Sequence, residues 1–134
     1  MATFLLVHGA CTGGWCWEKV VPLLEAKGHK VCAPDLPGLG NDQTPPAVVT
    51  LADNVEKLSR LLDKMDEPVV LVGHSLGGVT ISALAGWLVL DGRHEAQRAA
   101  WALYAAGGCG AALLLSMLTT SARKKRRDGP GAPR

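Results

Sequence analysis

Residues 73–77 read Gly73-His74-Ser75-Leu76-Gly77, a serine set between two glycines. The apolar run Val69 to Val72 leads into it, and a helix-forming stretch opens at Leu76. A serine on a sharp strand-to-helix turn has its hydroxyl lifted above the sheet edge. The N-terminus of the following helix then points at any oxyanion formed beside it. Such a turn brings the residues two before and two after the serine almost into collision. Glycine at positions 73 and 77 removes that collision, and Gly78 gives further room. The plainer alternative is a glycine-rich turn with an incidental serine. The strand before and the helix after favour a nucleophile elbow with Ser75 as the nucleophile.

A second group of candidate residues lies near the start of the chain. His8-Gly9-Ala10 follows the apolar run Thr3 to Val7, which is bounded sharply enough to read as a buried strand. Loops after neighbouring parallel strands open at one sheet edge. The backbone N–H groups of Ala10 and Leu76 can therefore face one point. Two such donors would form an oxyanion hole for the tetrahedral intermediate of acyl transfer. The alternative for Gly9-Ala10 is an ordinary tight turn.

The elements that must position these groups alternate. After the first strand comes a helical stretch from about Trp15 to Lys27, with Pro22 tolerated early in its main part and Gly28 as a stop. His29 to Ala33 reads as a second strand running into the loop PDLPGLG. A helix starts at Thr50, with Thr50 and Asp53 as a capping box and Leu51, Val55, Leu58, Leu62 and Met65 on one face. Pro68 is expected to end it. Val69 to Val72 is the third strand, and Leu76 to about Leu84 the next helix. This order predicts an α/β fold with a parallel sheet and flanking helices. Beyond about Ala85 the reading finds no clean strand. It divides the chain into 1–85, an Ala/Gly/Leu-rich segment 86–122 of unclear structure, and a basic, unstructured tail 123–134.

Bulk composition narrows the rest. A length of 134 residues fits one domain, and 48% hydrophobic residues argue against global disorder. The net charge is +2 overall; residues 119–134 carry six basic residues and one acid, leaving −3 on the remainder. That is an acidic body with a basic tail, and Arg123 to Arg127 without interleaved aromatics reads as solvated, not as a nucleic-acid site. Cys11, Cys16, Cys32 and Cys109 form no C-x-x-C pair and are expected to be reduced thiols. No metal or cofactor is implied. Gly9 to Gly14 is too weak a pattern to indicate a dinucleotide loop. Ala99 to Ala122 is free of charge but diluted by Gly, Ser and Thr, so a membrane span is not expected. With no signal-peptide pattern at the N-terminus, a cytoplasmic location is expected.

The segments FLLVHGACTGGWCW, VVPLLEAKGHKVCAPDLPGLG and VVLVGHSLGGV, in that order, resemble the α/β-hydrolase superfamily. The resemblance is to the branch of plant methylesterases, the salicylate-binding esterase and the hydroxynitrile lyases, with their bacterial relatives. It covers about residues 2–85. It implies that Ser75 is the nucleophile and that the Ala10 and Leu76 amides form the oxyanion hole. His8 and Gly9 would shape the oxyanion loop. Trp15 and Trp17 match aromatic positions after that loop, or simply pack the first helix on the sheet. His74, adjacent to the serine on a strained turn, reads as structural or pocket-lining and not as the base. The implied activity is hydrolysis of a small carboxylic ester through an acyl-enzyme, with hydroxynitrile lyase chemistry as the alternative within the family.

The same resemblance implies a chain order of Ser, then acid, then His, the last two on separate later loops. After Ser75 there is one histidine, His94, and the acids are Asp91, Glu95 and Asp128. Asp91 and His94 lie three residues apart in one segment and are not expected to form a working dyad. The chain is thus expected to be a hydrolase N-terminal half, truncated or divergent after about residue 85 and impaired in turnover. The alternative is a non-catalytic truncated or frame-shifted fragment.

Overall fold

The first apolar run is strand β1, Thr3–Val7. In this computed structural model the described residues are 1–90 together with two strands further on, Trp101–Ala105 and Ala111–Leu114. The region expected to be one helix after β1 is divided. Gly14–Trp17 is a 3-10 turn, and helix α1 is only Val21–Glu25. Pro22 is the cause. It lacks an N–H, so it is tolerated only in the first turn, and a helix must restart there. Gly28, at φ +77°, then turns the chain into β2, Lys30–Cys32.

Helix α2, Leu51–Leu62, starts on the expected capping box. The Asp53 N–H donates to Thr50 Oγ1 at 3.3 Å and the Thr50 N–H donates to Asp53 Oδ2 at 2.7 Å. Leu58 and Leu62 are buried, with Val55 and Met65 packed against the same core, whereas Leu51 is 42% exposed at the helix rim. The helix stops at Leu62, well before Pro68, and Lys64 and Met65 continue in tight turns. Strand β3 is Val69–His74, and helix α3, Leu76–Leu90, runs past the expected end near Leu84. The run Ala85 to Leu90 holds no proline, and its one glycine, Gly86, costs about 1 kcal/mol. A shared core of Leu5, Val7, Leu36, Leu58, Leu62, Val69, Leu71, Ile81 and Leu84 joins strands, helices and the loop after β2.

With β4 as Trp101–Ala105 and β5 as Ala111–Leu114, one sheet has the order β2-β1-β3-β4-β5. β1 pairs in parallel with β2 and β3, and β3 with β4. β5 returns antiparallel, with Ala105 opposite Ala111. The sequence reading found no clean strand after Ala85, and these two strands correct it. An unbroken Ala-rich run carries no alternation to announce a strand. Its pairing is a tertiary effect, β4 taking the open edge of β3 and β5 then pairing with β4. Residues 91–100, 106–110 and 115–134 lie outside the described residues. With them lie Asp91, His94, Cys109 and the basic run from Arg123, and also the rest of the uncharged run Ala99 to Ala122. Among the described residues no helix is long and apolar enough to cross a membrane.

The strand order decides where a site can form. From β1 the chain moves out to β2, then crosses through α2 to β3 on the other side of β1. The loops after β1 and β3 therefore diverge, and a crevice opens between their carboxyl ends.

Candidate active site at the β1–β3 switch point

Both predicted loops flank that crevice. In the parallel register Val7 lies opposite Gly73, so His8-Gly9-Ala10 and His74-Ser75-Leu76 leave the sheet side by side. Ser75 sits at φ +52°, in the left-handed region that non-glycine residues rarely adopt. Its carbonyl already accepts the first helical bonds of α3, from Gly78 N–H at 2.9 Å and Val79 N–H at 3.3 Å. The residue is exposed. The chain thus turns from strand to helix within one residue and leaves the hydroxyl outside.

The flanking glycines are required by contact. A Cβ on Gly73 would lie 2.6 Å from the Gly77 carbonyl carbon and the Gly78 nitrogen. A Cβ on Gly77 would collide with the Val7 carbonyl oxygen and lie 2.6 Å from that of His8. The first turn of α3 is therefore packed directly on the end of β1. This brings the Leu76 side of the elbow to the loop that carries Ala10.

His74 is exposed, and its ring lies against Gly9, where a Cβ would stand 2.8 Å from Nδ1. Gly9 thus admits both the ring and the His74 carbonyl. Among the described residues no hydrogen bond joins a side chain to Ser75 Oγ.

The loop after β1 is held from outside itself. His8 is fully buried; its Nε2 accepts the Leu36 N–H at 2.9 Å and its Nδ1 donates to Gly9 O at 2.8 Å. Those partners set the tautomer, with the proton on Nδ1. Thr12 Oγ1 donates to the same Gly9 carbonyl at 2.9 Å. Asp35 supplies a second anchor. Its Oδ1 accepts the Gly14 N–H at 2.6 Å and its Oδ2 the Asn41 N–H at 2.9 Å. Those two donations, Asn41 first and Gly14 second, hold the Asp35 carboxyl below the usual carboxylate range. Cys11, at φ +59°, is the other described non-glycine residue with left-handed backbone. One such residue stands in each loop of the crevice.

Sequence reasoning placed Ser75, His8, Gly9, Ala10, Gly73, His74, Leu76 and Gly77 at one site. The structure brings all of them to the same sheet edge. Asp35 was read only as part of a turn-rich loop. The available signal was a single acid amid Gly13, Gly14, Gly38 and Gly40, small residues that leave space for a carboxylate to reach backbone amides. Trp15 is 59% exposed and Trp17 is half-buried in the 3-10 turn, so neither is a core residue. Burial pushes the Cys16 and Cys32 thiols up, which makes them poor nucleophiles. Among the described residues no group of three or more His, Cys, Asp or Glu side chains is placed to hold a metal. A groove of about 750 Å³ between α2 and α3, lined in part by Leu51, Val55, Ala83 and Trp87, contains none of the crevice residues.

A switch-point crevice with a strained serine between strand and helix defines a class of α/β protein, and comparison with known proteins supplies the family. The alpha/beta hydrolase family matches residues 4–133, and the chain belongs to that family. Over 83 residues it is 51% identical to Methylesterase 1 of Arabidopsis thaliana, covering 59% of this chain and 32% of that protein. Salicylic acid-binding protein 2 of Nicotiana tabacum is 52% identical over 81 residues, 58% of this chain and 31% of the relative. A methylesterase structure from Arabidopsis superposes with a TM-score of 0.68 at 31% identity, covering 81% of this chain and 45% of that one. The matched stretch spans about a third of the length of these curated relatives.

Proposed function

We propose that this chain carries the nucleophile half of a serine esterase for a small carboxylic ester, with Ser75 as the acylated residue. The observation that supports it most is the φ of +52° at Ser75, held between β3 and α3 beside the end of β1. Strain of this kind costs about 1–3 kcal/mol and persists where the surroundings impose it. The esterase names of the similar proteins support the substrate class.

In this reading Ser75 Oγ attacks the ester carbonyl carbon and the C=O becomes an oxyanion. The Ala10 and Leu76 N–H groups donate to that oxygen. Collapse breaks the C–O bond to the alcohol, which leaves with a proton, and the acyl group stays on Ser75. Water then attacks the acyl carbon and releases the acid. His8 and Gly9 shape the donor loop, Gly73 and Gly77 permit the turn, and His74 lines the crevice.

Each proton transfer calls for a base. His94 is the one histidine after Ser75 in the 134 residues, three positions from Asp91. A dyad drawn from one short segment does not match the separate loops the mechanism uses. Turnover by the 134-residue chain is therefore expected to be far below that of a hydrolase with a complete triad. The same observation favours a second reading, a hydrolase-like chain that does not turn over at all.

The test is incubation of the full chain with p-nitrophenyl acetate, followed by intact mass and peptide mapping. Slow acetylation confined to Ser75, absent in Ser75→Ala, is the expected result. Rapid Ser75-dependent turnover would overturn the impairment, and a chain never acetylated at Ser75 would overturn the nucleophile assignment.

A further inference from the structure

We infer that Asp35 is a positioning residue for the oxyanion loop, acting from the loop after β2 on the Gly9–Gly14 segment through its hydrogen bond to the Gly14 N–H. The inference rests on the Ser75 reading above. It starts from an imbalance between the two loops of the crevice. The elbow is pinned by backbone contact with the end of β1. In the Gly9–Gly14 loop, Gly9 meets the His74 ring and carbonyl. Its long-range polar ties run to the neighbouring loop after β2. At the strand end, His8 Nε2 accepts the Leu36 N–H. At the far end, Asp35 Oδ1 accepts the Gly14 N–H. Ala10 lies between these two points.

The second carboxylate oxygen is also committed. Oδ2 accepts the Asn41 N–H, so Asp35 is anchored to its own loop while it reaches across. The surroundings are shaped for it. A Cβ on Gly40 would collide with the carboxylate, and a Cβ on Gly13 would lie 2.7 Å from Oδ1. Both oxygens accept, so an amide cannot replace the acid. One end of an asparagine would present N–H to N–H.

Asp42 provides a matched control in the same loop. It accepts from the Gly38 N–H at 2.9 Å, the Thr44 N–H at 3.0 Å and Lys57 Nζ at 2.9 Å, and so ties the loop to α2. None of these partners belongs to the Gly9–Gly14 segment. Loss of Asp42 would loosen the loop after β2 without releasing the oxyanion loop directly.

The experiment measures two quantities on the full chain and on Asp35→Asn and Asp42→Asn. One is the rate of Ser75 modification by an alkyl fluorophosphonate, whose phosphonyl oxygen takes the oxyanion position. The other is amide exchange at Gly14, with Leu5 and Leu71 as core references. Asp35→Asn is expected to slow Ser75 modification about tenfold or more, as small misplacements of catalytic groups do. It should speed exchange at Gly14 and leave the core amides protected. Asp42→Asn should keep the modification rate within about twofold of the parent. Equal losses in the two variants, or an unchanged rate in Asp35→Asn, would overturn the inference while leaving the Ser75 reading intact. No modification of Ser75 in the parent chain would overturn that reading, and this inference with it. If Asp35→Asn does not fold, Gly14 in the parent chain decides. Slow exchange at this loop amide supports the clamp, and exchange at the free-peptide rate overturns it.

Discussion

The two loops of the crevice are built by different physics. The elbow after β3 is local: five consecutive residues, two obligatory glycines and one strained serine, held by backbone contact with the end of β1. The loop after β1 is non-local, tied to the loop after β2 by buried His8, which accepts from Leu36 28 residues on, and by Asp35, which accepts from Gly14 21 residues back. A motif can be written wherever sterics dictate residue types at fixed spacing. A clamp made by one carboxylate and two backbone amides leaves almost no such trace, because backbone amides have no sequence.

The contrast can be broken most forcefully at the elbow. Gly73→Ala places a Cβ against three backbone atoms of Gly77 and Gly78, which cannot yield as a flexible side chain would. We expect a loss of about 3 kcal/mol, the upper part of the usual overpacking range, read as a fall in the denaturant midpoint. A loss below about 1 kcal/mol would mean that the turn is looser than described.

Acid separates the two loops next. The Asp35 carboxyl titrates below its ordinary range, because the Asn41 and Gly14 N–H groups favour its charged form. Its contribution is complete above the ordinary carboxylate pKa and is lost as pH falls through the lowered folded value. Protection of the Gly14 amide should therefore drop on acidification below the ordinary carboxylate range. The Gly78 amide, bonded to the Ser75 carbonyl, should keep its protection over the same interval. Parallel loss at both amides would show that acid acts on the fold as a whole.

A site remote from both loops gives the scale for a purely structural effect. Thr50→Ala removes one half of the α2 capping box and should cost about 1 kcal/mol, without changing the exchange of Ala10 or Gly14 relative to the core.

The smallest effect has the opposite sign. Ser75→Gly relieves a left-handed φ but adds backbone freedom to the unfolded chain. The difference predicts a gain of about 0.5–1 kcal/mol in thermal or denaturant unfolding. A loss of stability would argue that the Ser75 conformation is not strained.

Legibility in the sequence followed the same division. The elbow, the capping box and the three parallel strands were readable because glycine spacing, a Thr-x-x-Asp pattern and apolar runs each have a local cause. The expected stretch Trp15 to Lys27 over-extends helix α1, because the helix restarts at Pro22. Leu51 keeps the helical period of the α2 face but stands at its rim. β4 and β5 have no local signal because their pairing, β4 on the β3 edge and β5 on β4, is not written in an Ala-rich run. Asp35 has no such signal, because a Pro/Gly-rich loop explains an aspartate without assigning it a distant partner.

The most direct test is modification of the full 134-residue chain with a fluorophosphonate probe, followed by peptide mapping. The account predicts one adduct, on Ser75, and none in Ser75→Ala. An adduct on another serine, or none at all under conditions that leave the core amides protected, would contradict it.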